Sequence, residues 1–283
     1  MTKNYRAELT GVFGYPVDGN PSCVLEEAGY NALGLNYRYL TMKVKPEDLK
    51  TAFEGAKAIG MKGLNLTMPH KRAIIPLLDQ LSEAAQIIGA VNTVINTDGT
   101  WLGENTDGKG FLISLEKEGI LPEGKKITVL GAGGAARAIA VECALAGADR
   151  IIVINRNRER GEELAALINT RTKTRAEYLG WSQSLGIPID TQILVQATSI
   201  GLYPNVDKKP DIDYNTITKE MVASDVVFNP VMPLFLKEAQ KKDAKIINGL
   251  GMLVYQGALN FKLWTGEEAP VKIMYEALLK EFS

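Results

Sequence analysis

The sequence predicts an α/β protein built as two unlike domains. Two observations carry that prediction. Short apolar runs with strand-like composition alternate with segments of helical apolar spacing along most of the chain. A glycine-rich turn also stands between one such strand and one such helix, at "KKITVLGAGGAARAIA". The length of 283 residues allows one large domain or two of ordinary size. Hydrophobic residues at 46% and charged residues at 23% are those of a globular chain able to bury a core without staples.

In the first hundred residues, "LTGVFGYP" reads as a strand entering a Gly/Pro turn, and "YRYLTMKV" and "KGLNLTM" as two further strands. "PEDLKTAFEGAKAIG" has apolar residues at helical spacing, with Pro46 at its start and Gly60 at its end. "AVNTVINTDGTWLGENTDG" reads as two strands joined at Asp98–Gly99. A second series begins near Asp107: helix "GKGFLISLEKEG", strand "KKITVL", the glycine turn and its helix, strand "RIIVINR", helix "NRERGEELAALIN", and strands "TQILVQAT" and "SDVVFNP". Repeated strand–helix units favour a parallel sheet. The tail, "GLGMLVYQGALNFKLWTG" and "VKIMYEALLKEF", reads as two amphipathic helices. The expected division is 1–106 for a substrate domain, completed by C-terminal helices over 253–283, and 107–252 for a nucleotide domain.

Charge excludes some functions. Thirty-two basic and 33 acidic residues give a net charge of −1, so no basic surplus points to nucleic acid or an anionic membrane. No apolar run reaches the length of a membrane span, and "MTKNYRAELTG" lacks the apolar region of a signal peptide. Two scattered cysteines, Cys23 and Cys143, fit a reducing cytoplasm. One histidine and no CxxC pair leave little for a zinc site, and no metal is expected.

The glycine turn is the first motif with chemistry. Gly131, Gly133 and Ala136 follow G-x-G-x-x-A between a strand and a helix. The first glycine permits the tight turn, the second lets backbone approach a pyrophosphate, and the small third residue allows close helix–strand packing. The helix N-terminus then supplies free N–H groups and the positive end of a dipole. The second half is therefore a Rossmann-type dinucleotide-binding domain. The next strand ends in Asn155, Arg156 and Asn157, with Arg158 and Arg160 behind them. A carboxylate there would select NAD, whereas arginines suit a 2′-phosphate. The expected cofactor is NADP, with NAD as the alternative.

In "LNLTMPHKRAIIP" a strand carrying Asn65 and Thr67 ends at Pro69 and a helix starts, with Lys71 in its first turn. "GAVNT" and "GENTDGKG" bring Asn92, Asn105, Thr106 and Asp107 to strand-end loops. One lysine, one aspartate and several neutral hydrogen-bonding groups suit a polyhydroxylated ring and the transfer of one proton. A lysine does this as an acid/base, or polarises a carbonyl by its charge.

With these residues the chain resembles the shikimate and quinate dehydrogenase family. The motifs, in one order over nearly the whole length, are "NLTMPHK", "GAVNT", "NTDG", "GAGGAARA", "NRNRER", "ATSIG" and "GLGMLVYQGALNF". The resemblance implies a two-domain fold, with reversible hydride transfer between NADP and a ring hydroxyl of shikimate, quinate or a related cyclic hydroxy acid. It implies that Lys71 and Asp107 are the catalytic pair, with His70 a neighbour. It assigns ring hydroxyls to Asn92 and Gln256, and the substrate carboxylate to Thr67 and Ser22. Cofactor contacts fall on Gly131, Ala132, Gly133, Gly134, Ala135, Asn155, Arg156, Arg160, Thr198 and Gly249. A monomer or homodimer is expected.

Two places depart from the family. Its N-terminal turn reads close to G-x-P-x-x-H-S-x-S-P, whereas this chain reads "GYPVDGNPSC". Gly19 replaces the histidine, Asn20 the first serine and Cys23 the final proline, and Ser22 is kept. Asn20 still offers an NH₂ donor for the substrate, but Asp18 adds negative charge. Phe228 stands where a tyrosine is usual. These changes predict a different or less charged substrate, or weak shikimate binding. Two other readings are a metabolite sensor without catalysis and a methylenetetrahydrofolate dehydrogenase, the latter opposed by "NTDG" and "GLGMLVYQ".

Overall fold

The computed structural model describes residues 5–282. Residues 1–4 and Ser283, counted above in the N-terminal stretch and the C-terminal helices, lie outside the described residues. The chain separates into two compact units, one of 5–106 with 256–281, the other of 107–255.

The first unit is built on a six-stranded mixed sheet. Its elements are β1 (Glu8–Gly14), α1 (Ser22–Ala32), β2 (Tyr37–Lys43), α2 (Leu49–Ala58), β3 (Gly63–Leu66), α3 (His70–Ala73), β4 (Gln80–Leu81), α4 (Glu83–Ile88), β5 (Thr93–Thr97) and β6 (Thr100–Glu104). The order is β2-β1-β3-β5-β6-β4. β1 pairs in parallel with β2 and β3, while β5 runs antiparallel to β3 and β6. The hairpin turns at Asp98 and Gly99, which adopt φ of 51° and 89°, the left-handed pair that a two-residue hairpin needs. Its core gathers Phe13, Phe53, Leu64, Leu66, Ile74, Val94 and Trp101.

The second unit holds α5 (Thr106–Lys117), β7 (Lys126–Leu130), α6 (Gly134–Leu145), β8 (Arg150–Asn155), α7 (Arg158–Arg171), β9 (Arg175–Gly180), β10 (Leu185–Gly186), β11 (Ile193–Gln196), β12 (Ile212–Asp213), β13 (Val222–Asp225), α8 (Leu234–Gln240) and β14 (Lys245–Ile247). α9 (Gly249–Thr265) returns the chain to the first unit, which ends in α10 (Val271–Glu281). The six-stranded sheet β14-β13-β11-β7-β8-β9 is parallel throughout. Alternate residues of its strands enter two different cores. Ile127, Val129, Ile151, Val153 and Val195 pack with α6, while Ile152, Ile154 and Leu194 pack with Phe235 and Leu236 of α8. A parallel sheet covered on both faces follows from that apolar continuity.

Three boundaries differ from expectation. β3 ends at Leu66 rather than Pro69, although Thr67 N–H still donates to Phe13 O at 3.0 Å. β13 covers Val222–Asp225, not the whole of "SDVVFNP". The reason is local: the Val227 N–H donates to the Asp225 side chain at 2.9 Å instead of joining a ladder. The second unit also keeps 253–255, so the first unit resumes at Gln256. Helices α1, α4 and α8 and strands β4, β9, β10, β12 and β14 have no counterpart in the sequence reading.

Candidate active site

In the first unit, strand directions gather the candidate residues at one sheet edge. β1, β3 and β6 end there, and antiparallel β5 begins there. The loop after β1 brings Asn20 and Ser22, the segment after β3 brings Thr67 and Lys71, the start of β5 brings Asn92 and Thr93, and the end of β6 brings Thr106. Gly14 closes this edge tightly: a Cβ there would stand 2.3 Å from Thr67 Cγ2.

A buried amide–hydroxyl network fixes the floor of this edge. Tyr39 Oη donates to Asn65 Oδ1 at 2.7 Å, and Asn65 Nδ2 donates to Thr93 Oγ1 at 3.2 Å. Thr93 and Thr106 hydroxyls both donate to Asn260 Oδ1, at 2.7 and 2.8 Å. Asn92 Nδ2 donates to Thr106 Oγ1 at 3.0 Å, and the Thr106 N–H returns to Asn92 Oδ1 at 2.7 Å. Asn260 Nδ2 reaches Gln256 Oε1 at 3.2 Å. Of the assigned hydroxyl-binding amides, Asn92 is thus oriented by Thr106, 14 positions away, and Gln256 by Asn260, one turn along α9. Such networks hold a fixed geometry when every member is satisfied. The sequence reading missed Tyr39, Thr93 and Asn260. Asn260 lies inside "GLGMLVYQGALNF", four residues after Gln256, and that one-turn spacing was a readable signal.

Lys71 sits half-buried in the four-residue helix α3, and its C=O accepts from the Val91 N–H at 2.7 Å. His70 is buried, 1% exposed. Its Nε2 lies 2.8 Å from Val44 O; a carbonyl only accepts, so this nitrogen carries the proton. His70 therefore ties α3 to the chain beyond β2, while Lys71 is the more exposed of the two. Ser22 opens α1 and is buried, and its N–H donates to Asn20 Oδ1 at 3.0 Å. The assigned Asn20 therefore closes a local turn just before the helix with the oxygen of its amide.

In the second unit the sheet order places the first strand, β7, beside the fourth, β11. Chain crossovers leave in opposite directions from that pair, which makes it the ligand-binding switch point of an open parallel sheet. Gly131 follows β7 with φ of 115°, and a Cβ on it would stand 3.0 Å from both Ala197 O and Thr198 Cγ2. Glycine is required there both for conformation and for space. Gly133 caps α6 with no side-chain hydrogen bond, and Cβ atoms built on Gly133 or Gly134 would meet nothing within 4 Å. Bare backbone over the first turn of a 12-residue helix fits a pyrophosphate. Ala132 and Ala135 flank it in the turn, and fully buried Ala136 packs against the sheet.

β8 ends at Asn155, whose Nδ2 donates to Asn157 O at 2.8 Å. Asn157 Oδ1 caps α7 by accepting from the Arg160 N–H at 2.9 Å. Arg158 is paired with Glu162, but Arg156 and Arg160 form no ion pair among the described residues. Two uncommitted guanidinium groups at a strand end fit a 2′-phosphate and give a ribose-binding carboxylate no place. Thr198 is held by Gln196, whose Oε1 accepts from Thr198 N–H at 2.6 Å and Thr198 Oγ1 at 2.7 Å. Gln196 Nε2 also donates to Asp225 Oδ1 at 3.2 Å. Burial pushes Asp225 up to about 8, against the opposing pull of the Val227 N–H. Gly249 opens α9, where a Cβ would stand 2.5 Å from Val227 O. Asp107 lies half-buried in the first turn of α5.

The shikimate dehydrogenase substrate binding domain profile matches residues 12–94. That of shikimate/quinate 5-dehydrogenase matches 116–199 and that of the shikimate 5′-dehydrogenase C-terminal domain 249–279. The chain is 42% identical over 281 residues to the NADP(+) shikimate dehydrogenase of Desulforamulus reducens, covering 98% of this chain and 97% of that one. Ligand-free 5-ketofructose reductase of Gluconobacter sp. strain CHM43 superposes with a TM-score of 0.94 at 45% identity, covering 99% and 100% of the two chains. A shikimate dehydrogenase in complex with NADP+ superposes with a TM-score of 0.93 at 41% identity, covering 99% and 97%.

Proposed function

This chain belongs to the shikimate dehydrogenase family, and we propose how its own residues carry out that family's reaction. The protein is an NADP-dependent oxidoreductase that interconverts a ring hydroxyl and a ketone of shikimate and 3-dehydroshikimate, or of a related cyclic polyol acid such as quinate. When bound, NADP supplies the hydride acceptor and NADPH the donor.

The second unit holds the nucleotide. The N–H groups at the start of α6 receive the pyrophosphate over Gly131, Ala132, Gly133, Gly134 and Ala135. Asn155, Arg156 and Arg160 take the ribose and its 2′-phosphate, and Thr198 and Gly249 supply further contacts. The first unit holds the ring: Asn92 and Gln256 bind its hydroxyls, while Thr67, Ser22 and Asn20 meet its acidic end. Lys71 exchanges the proton of the reacting oxygen, and Asp107 orients lysine and substrate. The observation that carries this reading is the fixed amide pair Asn92–Gln256, set by Thr106 and Asn260 at the sheet edge that also presents Lys71.

No described helix is long and apolar enough to cross a membrane. Both cysteines are free thiols, which supports a reducing compartment such as the cytoplasm; the net charge of −1 supports small molecules rather than nucleic acid or an anionic membrane as partners, and the protein is proposed to act as a monomer or homodimer. The test is absorbance at 340 nm with NADP or NAD and shikimate or quinate, beside Lys71→Ala. Turnover with NADP that the variant loses supports the assignment, and equal turnover by both proteins removes Lys71 from it.

A second reading has one specific observation in its favour. The structurally similar Gluconobacter reductase is named for 5-ketofructose, a ketone with no carboxylate. In this chain Asn20 already occupies the Ser22 N–H, a donor that an acid would otherwise find free. 5-Ketofructose is therefore a second candidate substrate of the same site.

A further inference from the structure

We propose that Asp225 is a positioning residue for the nicotinamide half of the dinucleotide: one of its oxygens ties together the two loops that carry Thr198 and Gly249. The inference rests on the assignment of those two residues to the cofactor in the reading above.

Gln196 and Asp225 are the last paired residues of the adjacent strands β11 and β13. Both are buried, at 0% and 1% exposed. The Gln196 amide is used at both of its ends. Its Nε2 donates to Asp225 Oδ1 at 3.2 Å and to Ile200 O at 3.0 Å. Its Oε1 accepts from the N–H and the hydroxyl of Thr198, at 2.6 and 2.7 Å. Thr198 Oγ1 accepts in turn from the Ile200 N–H at 3.2 Å. The loop after β11 is thus wound around one buried side chain. It also abuts the glycine turn, since a Cβ on Gly131 would stand 3.0 Å from Thr198 Cγ2.

The same Asp225 Oδ1 accepts from the Val227 N–H at 2.9 Å. Val227 O lies 2.5 Å from the place a Cβ on Gly249 would take, so the loop after β13 is set against the start of α9. Asp225 Oδ2 is buried and has no hydrogen-bond partner among the described residues. Burial favours the neutral acid, and the group then serves as one accepting oxygen shared by two donors.

Sheet order indicates which half of the nucleotide these loops meet. Arg156 and Arg160 follow β8, on one side of β7, whereas β11 and β13 lie on the other side. A dinucleotide crosses the sheet edge at the switch point, with its pyrophosphate over the turn after β7. With its 2′-phosphate at the end of β8, its nicotinamide half extends over β11 and β13. Asp225 acts on that half through Thr198 and Gly249 and is not itself a catalytic residue.

The experiment compares binding of NADP with binding of 2′,5′-ADP, which keeps the 2′-phosphate and lacks the nicotinamide half. Calorimetry is run on wild type, Asp225→Ala, Asp225→Asn and Gln196→Met. Asp225→Ala should raise the Kd for NADP at least fivefold and leave that for 2′,5′-ADP within twofold. Asp225→Asn keeps an accepting oxygen in the same shape and should stay within twofold of wild type for both ligands. Gln196→Met keeps a long buried side chain without the hydrogen bonds. It should reproduce the split, and it carries the test if Asp225→Ala does not fold. A purely structural role would weaken both ligands together. Equal changes for the two ligands, no change in either, or an Asp225→Asn as weak as Asp225→Ala would overturn the inference and leave the dehydrogenase reading intact. Folded wild type that binds neither ligand would overturn the nucleotide assignment as well.

Discussion

The two units build their halves of the chemistry from different materials. The second unit makes its cradle from backbone: five consecutive residues after β7, a bare helix start, and two arginines one strand further on. The first unit makes its own from side chains that are mostly far apart in sequence, Tyr39, Asn65, Asn92, Thr106, Gln256 and Asn260, joined because strand ends that share one edge meet β2 and helix α9. A backbone cradle tolerates change wherever conformation is kept and space stays open. A side-chain network fails when any one member is lost, because each buried group is another's partner.

The sharpest probe of this contrast is Gly133→Val. Gly133 has extended backbone with φ of −83°, so valine should fold with unchanged stability. Its side chain would cover the start of α6 and displace charged hydrogen bonds, each worth about 1.5–3 kcal/mol. NADP KM should rise by about a hundredfold with the melting temperature unchanged; a fall in Tm with no change in KM would break the backbone account.

Arg156→Ala should act within one cofactor only. We expect roughly a tenfold rise in KM for NADP and none for NAD, since only the former carries the 2′-phosphate. Equal effects on both would place Arg156 elsewhere.

Asn260→Ala tests the other half. It removes the acceptor that the Thr93 and Thr106 hydroxyls share and one partner of Gln256, at a cost of about 1–3 kcal/mol. Denaturant titration should show that loss, with substrate KM raised and the Kd for NADP unmoved.

A separate effect, on stability rather than on binding, concerns pH. Asp225 holds its proton to about pH 8 in the folded protein, whereas an unfolded aspartate releases it near pH ~3.9. Between those values the folded state binds more protons, so stability falls as pH rises, by up to about 1.4 kcal/mol per unit. Above the folded value the penalty levels off. Asp225→Asn should flatten this slope between pH 5 and 8. Burial raises Glu26 as well, which gives a slope of the same sign, so the informative quantity is the difference between wild type and variant.

Legibility followed the same division. The places of the glycine turn and of Arg156 in the fold were readable because strand, turn and helix are contiguous in the chain. Lys71 was readable as a helix-start residue at a strand edge, and Asn92 as a loop amide. Nothing in the sequence pairs Thr93 with Asn260, because that contact spans 167 positions. The strand "SDVVFNP" was overdrawn for a similar reason. Its apolar run has strand composition, but the side chain of Asp225 captures the Val227 N–H and ends the ladder.

The sequence by itself determined the alternation of strands and helices, the glycine turn between β7 and α6, the arginines that follow β8 and the lysine at its helix start. These depend on periodicity, φ-permissive residues and local charge, which act over a few residues. The tertiary structure decided how β5 runs against β3, which amides are held by which hydroxyls, and that the Glu26 carboxyl is buried without a hydrogen-bond partner. Those depend on register and burial, and both arise only when distant segments exclude water from one another.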